Sequence, residues 1–238
     1  MHSGIRFVGT AAWWRAIAAG AVVAACVFVL ASGGAGAQSG ARHGKLFAPQ
    51  DLGLLEGPDR DLWQLPDRIM DTLGIAEGAL VADLGAGGGW FTIRLARRVG
   101  ANGLVFAEDI QPQMLEATMR RVAREGLGNV RRVLGTAEDP RLPAGTLDAV
   151  LIVDTYHEID NRDSMLRNIA KSLKPQGRVG VVDFKRDGLG PGPALEDRVD
   201  PEEVVRDAEA AGLRLVRRET FLPYQFMLVF IRPQPGAP

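Results

Sequence analysis

Between Val81 and Gly89 the chain reads Val-Ala-Asp-Leu-Gly-Ala-Gly-Gly-Gly, and this stretch limits the fold more than any other. A short apolar run enters a turn rich in glycine and leaves at once into residues 90–99, whose pattern suits a helix. Glycine lets backbone amides approach a ligand closely, and the first N–H groups of the following helix have no partner within it. Strand, glycine turn and helix together make a loop suited to a nucleotide-bearing ligand at the edge of a sheet.

The alternation continues. Residues 104–109 read as a second strand ending in Glu108 and Asp109, and 110–115 open another helix. A third strand covers 130–135 and a fourth 147–154. The fourth is continuously apolar after Asp148, as a parallel strand buried on both faces should be. A helix over about 162–174 closes at the turn Lys174-Pro175-Gln176-Gly177-Arg178, followed by a fifth strand over 179–184 and a helix over 201–211. Residues 213–220 and 225–231 are rich in β-formers and flank Pro223-Tyr224, which predicts a closing antiparallel hairpin. The fold expected is α/β: a three-layer, Rossmann-like sandwich around a mostly parallel seven-stranded sheet. Residues 188–193 read as a loop rich in Gly and Pro at the rim.

Spacing argues about the ligand. A dinucleotide fingerprint needs a third glycine three residues after the second, and here that place holds Trp90. Asp83, two residues before the first glycine, would sit badly beside a pyrophosphate and better beside a cationic or amino-bearing group. With Asp-x-Gly-x-Gly-x-Gly after an apolar strand, Asp109-Ile110 with Pro112 and Met114-Leu115 after the second, and a Lys-Pro-Gln-Gly turn, the chain resembles the class I S-adenosylmethionine (SAM) methyltransferases over residues 60–232. The likeness extends to an exported bacterial group of that family.

That resemblance implies SAM as cofactor. Gly85, Ala86, Gly87 and Gly89 would admit its methionine portion, with Asp83 near the amino group. Asp109, preferred over Glu108, would hold the ribose, with Ile110 beside it. Thr136, Ala137 and Glu138 fall in the adenine region, where family members often carry an acid in place of Thr136; Glu138 reads equally as a solvated loop acid. Asp154 at the fourth strand's end would contact cofactor or substrate, or cap its loop. The reaction implied is in-line methyl transfer to a small-molecule acceptor. His157 is the candidate base, since its ordinary pKa near 6.5 suits proton uptake; the alternative is packing under Tyr156. Trp63 and Gln64, before an amphipathic segment over 67–73, either cover the pocket or staple that segment to the sheet. A SAM-binding module without catalysis, and an NAD(P)-dependent oxidoreductase, are the competing readings.

Ahead of the domain, residues 16–31 are almost entirely apolar, follow Arg6 and Arg15, and lead to Ala35-Gly36-Ala37. This predicts a leader over 1–37, a linker over 38–60 and the catalytic domain over 61–238, with export to the periplasm. The competing reading anchors residues 13–31 in the inner membrane. The lone cysteine, Cys26, lies in this leader, so the domain has neither disulfide nor thiol chemistry. Three histidines, two of them His2 and His43, argue against a metal cluster, and a formal charge of −1 gives nucleic acid no basic surface. Acceptor identity and oligomeric state are not encoded in any motif.

Overall fold

The structure, a computed structural model, describes residues 46–234; the leader or anchor expected over 1–37 lies outside them. The chain opens with a 3-10 turn, Pro49–Leu55, and a short helix α1, Arg60–Gln64. Helix α2, Pro66–Leu73, follows through Leu65, which takes a left-handed φ of 48°. Then strands and helices alternate: β1 Leu80–Leu84, α3 Trp90–Val99, β2 Leu104–Asp109, α4 Pro112–Arg124, β3 Val130–Leu134, β4 Leu147–Val153, α5 Arg162–Ser172, β5 Leu173–Phe184, α6 Pro201–Ala210, β6 Arg214–Glu219 and β7 Gln225–Ile231.

The seven strands form one sheet in the order β3-β2-β1-β4-β5-β7-β6. Pairings from β3 through β5 are parallel, and β7 runs antiparallel to both β5 and β6. The expected α/β sheet with its closing antiparallel strands is therefore present. Parallel neighbours need crossover helices, which cover both faces. On one face Ile69, Met70 and Leu73 of α2 join Trp90, Phe91 and Leu95 of α3. On the other, Met165, Leu166 and Ile169 of α5 and Val204, Val205 and Ala208 of α6 pack against the sheet. Strand β4 lies between these layers with Val150, Leu151 and Ile152 fully buried, each such side chain stabilising by about 1.5–3 kcal/mol.

One boundary differs from expectation. The turn read at 174–178 is absorbed into a long β5, where the step from Leu147 to Ala149 faces the step from Leu173 to Arg178. The excursion is pinned from the far side: the Gln176 N–H donates to the Arg232 carbonyl (3.0 Å), and the Arg232 N–H donates to that of Gly177 (2.9 Å). Gln176 takes a φ of 65°, a conformation that side chains other than glycine, asparagine or aspartate seldom adopt.

The crossing between β1 and β4 places the tips of neighbouring strands, and the loops beyond them, around one crevice. Open parallel sheets bind ligands at such a switch point.

Candidate functional site

A cavity of about 1470 Å³ opens there. Pockets for one small ligand commonly measure roughly 300–1,000 Å³, so this one has room for a cofactor and an acceptor together.

One half is built from the tips of β1 and β2. Asp83, buried at the end of β1, accepts a hydrogen bond from the Thr92 hydroxyl at 2.6 Å. Burial pushes its carboxyl up to about 6, with the Thr92 bond opposing. At the end of β2, Asp109 accepts the Gly87 N–H (3.0 Å) on one oxygen and the Gln111 N–H (2.9 Å) on the other. Burial raises this carboxyl too, and those N–H groups pull it back. Gly87 has φ 53°, and a Cβ added there would meet nothing closer than 4.0 Å. Gly87 thus borders open space, and its backbone ties the glycine loop to Asp109.

Glu108 is different. Its side chain is 1% exposed, and Oε1 is the buried side-chain atom without a hydrogen-bond partner among the described residues. Burial, with Asp109 adding its charge, pushes this carboxyl up to about 8.

Asp83, Gly85, Ala86, Gly87, Asp109, Ile110, Ala137, Asp154 and His157 all line the cavity. Three other expected residues face elsewhere. Gly89 caps α3 and lies against Thr118. The Thr136 hydroxyl is engaged locally, accepting the Asp139 N–H at 3.0 Å and reaching the Asp139 carbonyl at 3.3 Å. Glu138 is exposed and accepts a hydrogen bond from the Asn161 amide.

The other half is assembled from segments far apart in the chain. Asp154, at φ 55° just beyond β4, accepts from Arg60 Nη2 (3.1 Å), Gln64 Nε2 (3.0 Å) and the Gln225 side-chain amide. Gln64 also donates to Gln225 Oε1 at 3.1 Å. Burial raises the Asp154 carboxyl to about 6 against the pull of Arg60. This network fastens α1 over the crevice, while Phe47 accepts from Gln111 Nε2 and Glu56 pairs with Arg121. Residues expected as linker therefore pack on the domain. Trp63 lines the cavity in an aromatic cluster with Phe184 (6.3 Å) and Tyr224 (6.1 Å), while Gln64, fully buried, is spent on the polar network.

His157 sits in a 3-10 turn, Tyr156–Glu158, after β4. Its backbone N–H donates to Asp183 Oδ2 (3.1 Å), and its Nδ1 lies 3.0 Å from Asp183 Oδ1. A carboxylate accepts, so Nδ1 carries the proton and Nε2 is left as the basic nitrogen on the side of Glu158. Burial lowers the pKa of His157, but the Asp183 bond and the charges of Asp183, Glu158 and Asp154 outweigh it, and the net direction is up. Sequence reasoning missed Asp183 and Gln225. The available signal was a polar residue within or opening an otherwise apolar strand, which must find a partner.

Among the described residues no cluster of His, Cys, Asp and Glu could hold a metal, and no helix is long and apolar enough to cross a membrane.

Residues 81–177 match a family described as "Methyltransferase domain". The ubiquinone/menaquinone biosynthesis C-methyltransferase of Pasteurella multocida is 35% identical over 123 residues, 51% of this chain and 46% of that protein. The chain thus spans about half the length of the curated relatives it matches. A SAM-dependent methyltransferase from Aquifex aeolicus superposes with a TM-score of 0.75 at 28% identity, covering 79% of this chain and all of the other. Phosphoethanolamine N-methyltransferase 2 of Haemonchus contortus, solved with SAM, shares the fold with a TM-score of 0.61 at 17% identity, over 72% of this chain and 53% of that one. Residues 81–177 thus match a methyltransferase domain, and the chain has the fold of the SAM-dependent methyltransferase it superposes on. The residues present fit SAM: Gly87 borders open space, and Asp109 is held beside it at the cavity wall.

Proposed function

We propose that this protein transfers a methyl group from SAM to a small organic acceptor carrying an acidic proton, with His157 as the base. The observation that carries the cofactor reading is Asp109, held by the Gly87 and Gln111 amides at the cavity wall. Fixed in this way, it can accept from both ribose hydroxyls without further rearrangement. Asp83 offers a carboxylate for the ammonium of the methionine portion.

When bound, SAM supplies a methyl group already activated by the sulfonium. The remaining work is alignment, exclusion of water and removal of a proton. Bonding of the acceptor atom to that methyl carbon would return the electron pair of the broken carbon–sulfur bond to sulfur. The acceptor's proton goes to His157 Nε2. Asp183 holds the ring in the correct tautomer and favours the charged imidazolium that results. Trp63, Phe184 and Tyr224 give the acceptor side an apolar, aromatic wall.

The relatives' name specifies C-methylation in quinone biosynthesis. An activated aromatic carbon also sheds a proton after methylation, so the same base serves a carbon acceptor. Export of the domain by residues 1–37 belongs to this proposal, and a reporter fused after Pro238, active on only one side of the membrane, tests it.

The cofactor reading is tested by calorimetric titration of SAM into the full-length protein, with NAD as control. Micromolar SAM binding and no heat from NAD is the expected result. A folded protein that ignores SAM overturns the reading, and one that prefers NAD replaces it with hydride transfer.

A further inference from the structure

A base that has taken a proton becomes a buried cation, and a buried charge needs a hydrogen-bonded counter-charge. The His157 side chain is only 10% exposed. Three carboxylates act on it: Asp183 from β5, Asp154 from the end of β4 and Glu158 from its own turn. Asp183 is taken up at Nδ1, and Asp154 is held by Arg60, Gln64 and Gln225. Glu158 stands on the other side of the ring. Its Oε1 lies 3.8 Å from Nε2, close enough for an ion pair and too far for a hydrogen bond. Its Oε2 accepts the Phe47 N–H (3.4 Å), and the Phe47 carbonyl accepts from Gln111 Nε2 (3.0 Å). A segment read from the sequence as linker thus holds this carboxylate beside the ring, and both Glu158 and His157 line the cavity.

We infer that Glu158 is a positioning residue for the base: its carboxylate draws in the Nε2–H of the imidazolium once His157 has taken the acceptor's proton. In the neutral ring Nε2 carries a lone pair, which a carboxylate repels, so the gap stays open and the lone pair is left to the acceptor. In the charged ring Nε2 donates, and the gap closes. The proton is then held away from the methylated product. The same negative charge disfavours an acceptor that is already anionic and suits one that arrives with its proton. The inference rests on His157 as the base in the reading above and adds the group that secures its charged form.

The chain has three histidines, so the ring nitrogens of full-length protein labelled in histidine can be followed one by one by NMR, with His157→Ala identifying the signals. The charged ring should show an Nε2–H protected from exchange with water. Its titration midpoint should fall by about one unit in Glu158→Gln, while Glu158→Asp, which keeps the charge, should keep the larger part of the wild-type midpoint. Asp183→Asn, lacking the partner on Nδ1, is the control that the midpoint responds to a lost charge. Circular dichroism establishes that each variant is folded. An unchanged midpoint in folded Glu158→Gln overturns the inference. An equal fall in Glu158→Asp and Glu158→Gln overturns it as well, because it assigns the effect to packing and not to charge. Unimpaired methyl transfer by His157→Ala is a different failure: it removes the base reading itself, whatever the titration shows.

Discussion

The two halves of the cavity are made in different ways. The half around β1 and β2 is mostly backbone: glycine φ angles, amides donating to Asp109, and an N-terminal helical turn, all within residues 83–111. The half beyond β4 is mostly side chains from distant segments, with Arg60, Gln64, Asp154 and Gln225 meeting across separations of up to 161 residues. A backbone cradle tolerates many neighbours and serves one cofactor. A side-chain wall is shaped by whichever segments reach it, and it can be rebuilt for a new acceptor while the cradle stays constant.

If the halves are separable, His157→Ala should slow methyl transfer to any acceptor the wild type uses by roughly 10²–10⁴-fold, leaving SAM affinity unchanged. A matching loss of affinity would show that the halves are coupled. Asp154→Ala removes the carboxylate partner of the buried Arg60 guanidinium, which keeps only the neutral acceptors Gln64 and Leu55, and takes an acceptor from the Gln64 and Gln225 amides. Unfolding in denaturant should then show a loss of about 3–5 kcal/mol, and a smaller loss would mean that α1 is fastened chiefly by its apolar contacts. Asp109→Ala removes hydrogen bonds made by an ionised group. SAM affinity by calorimetry should fall by about hundredfold with little change in melting temperature.

The mildest effect concerns pH. As the proposed base His157 would act unprotonated, and its pKa is raised in the fold, so the rate should climb with pH through an inflection above the ordinary 6.5. In Asp183→Asn that inflection should move to lower pH, because the favouring charge is gone. Stability carries the opposite sign. A His held at raised pKa contributes stability that is fully present below 6.5 and is lost as pH rises through its folded value. An inflection that stays put in Asp183→Asn would mean that His157 is not the titrating base.

This contrast also explains what could be read from the chain. The strand pattern and the glycine loop were legible because both depend on neighbours in sequence, and β2, α3 and β7 fall at the expected residues. His157 was legible as a candidate because a loop beyond a buried parallel strand must lie at the ligand edge. Its partner was not, since nothing local says that Asp183 of β5 will stand 3.0 Å from that ring. The turn at 174–178 was misjudged for the same reason: the bonds that draw it into β5 come from Arg232, on the far side of β7. Thr136 and Glu138 occupy the expected loop, yet the Thr136 hydroxyl bonds locally to Asp139 and the exposed Glu138 carboxylate accepts from Asn161.

Strand β7 has a consequence for the order of assembly. It is the last strand among the described residues but lies inside the sheet, and among them β6 pairs with β7 alone. The hairpin strand made earlier must wait for the one made later, and Gln225 at the head of β7 must arrive before the Asp154 network can close. During synthesis from the N-terminal side, the cradle for the cofactor can therefore form while the acceptor wall is still missing one face. On the proposed reading, the wall facing the acceptor is completed later in synthesis than the glycine cradle.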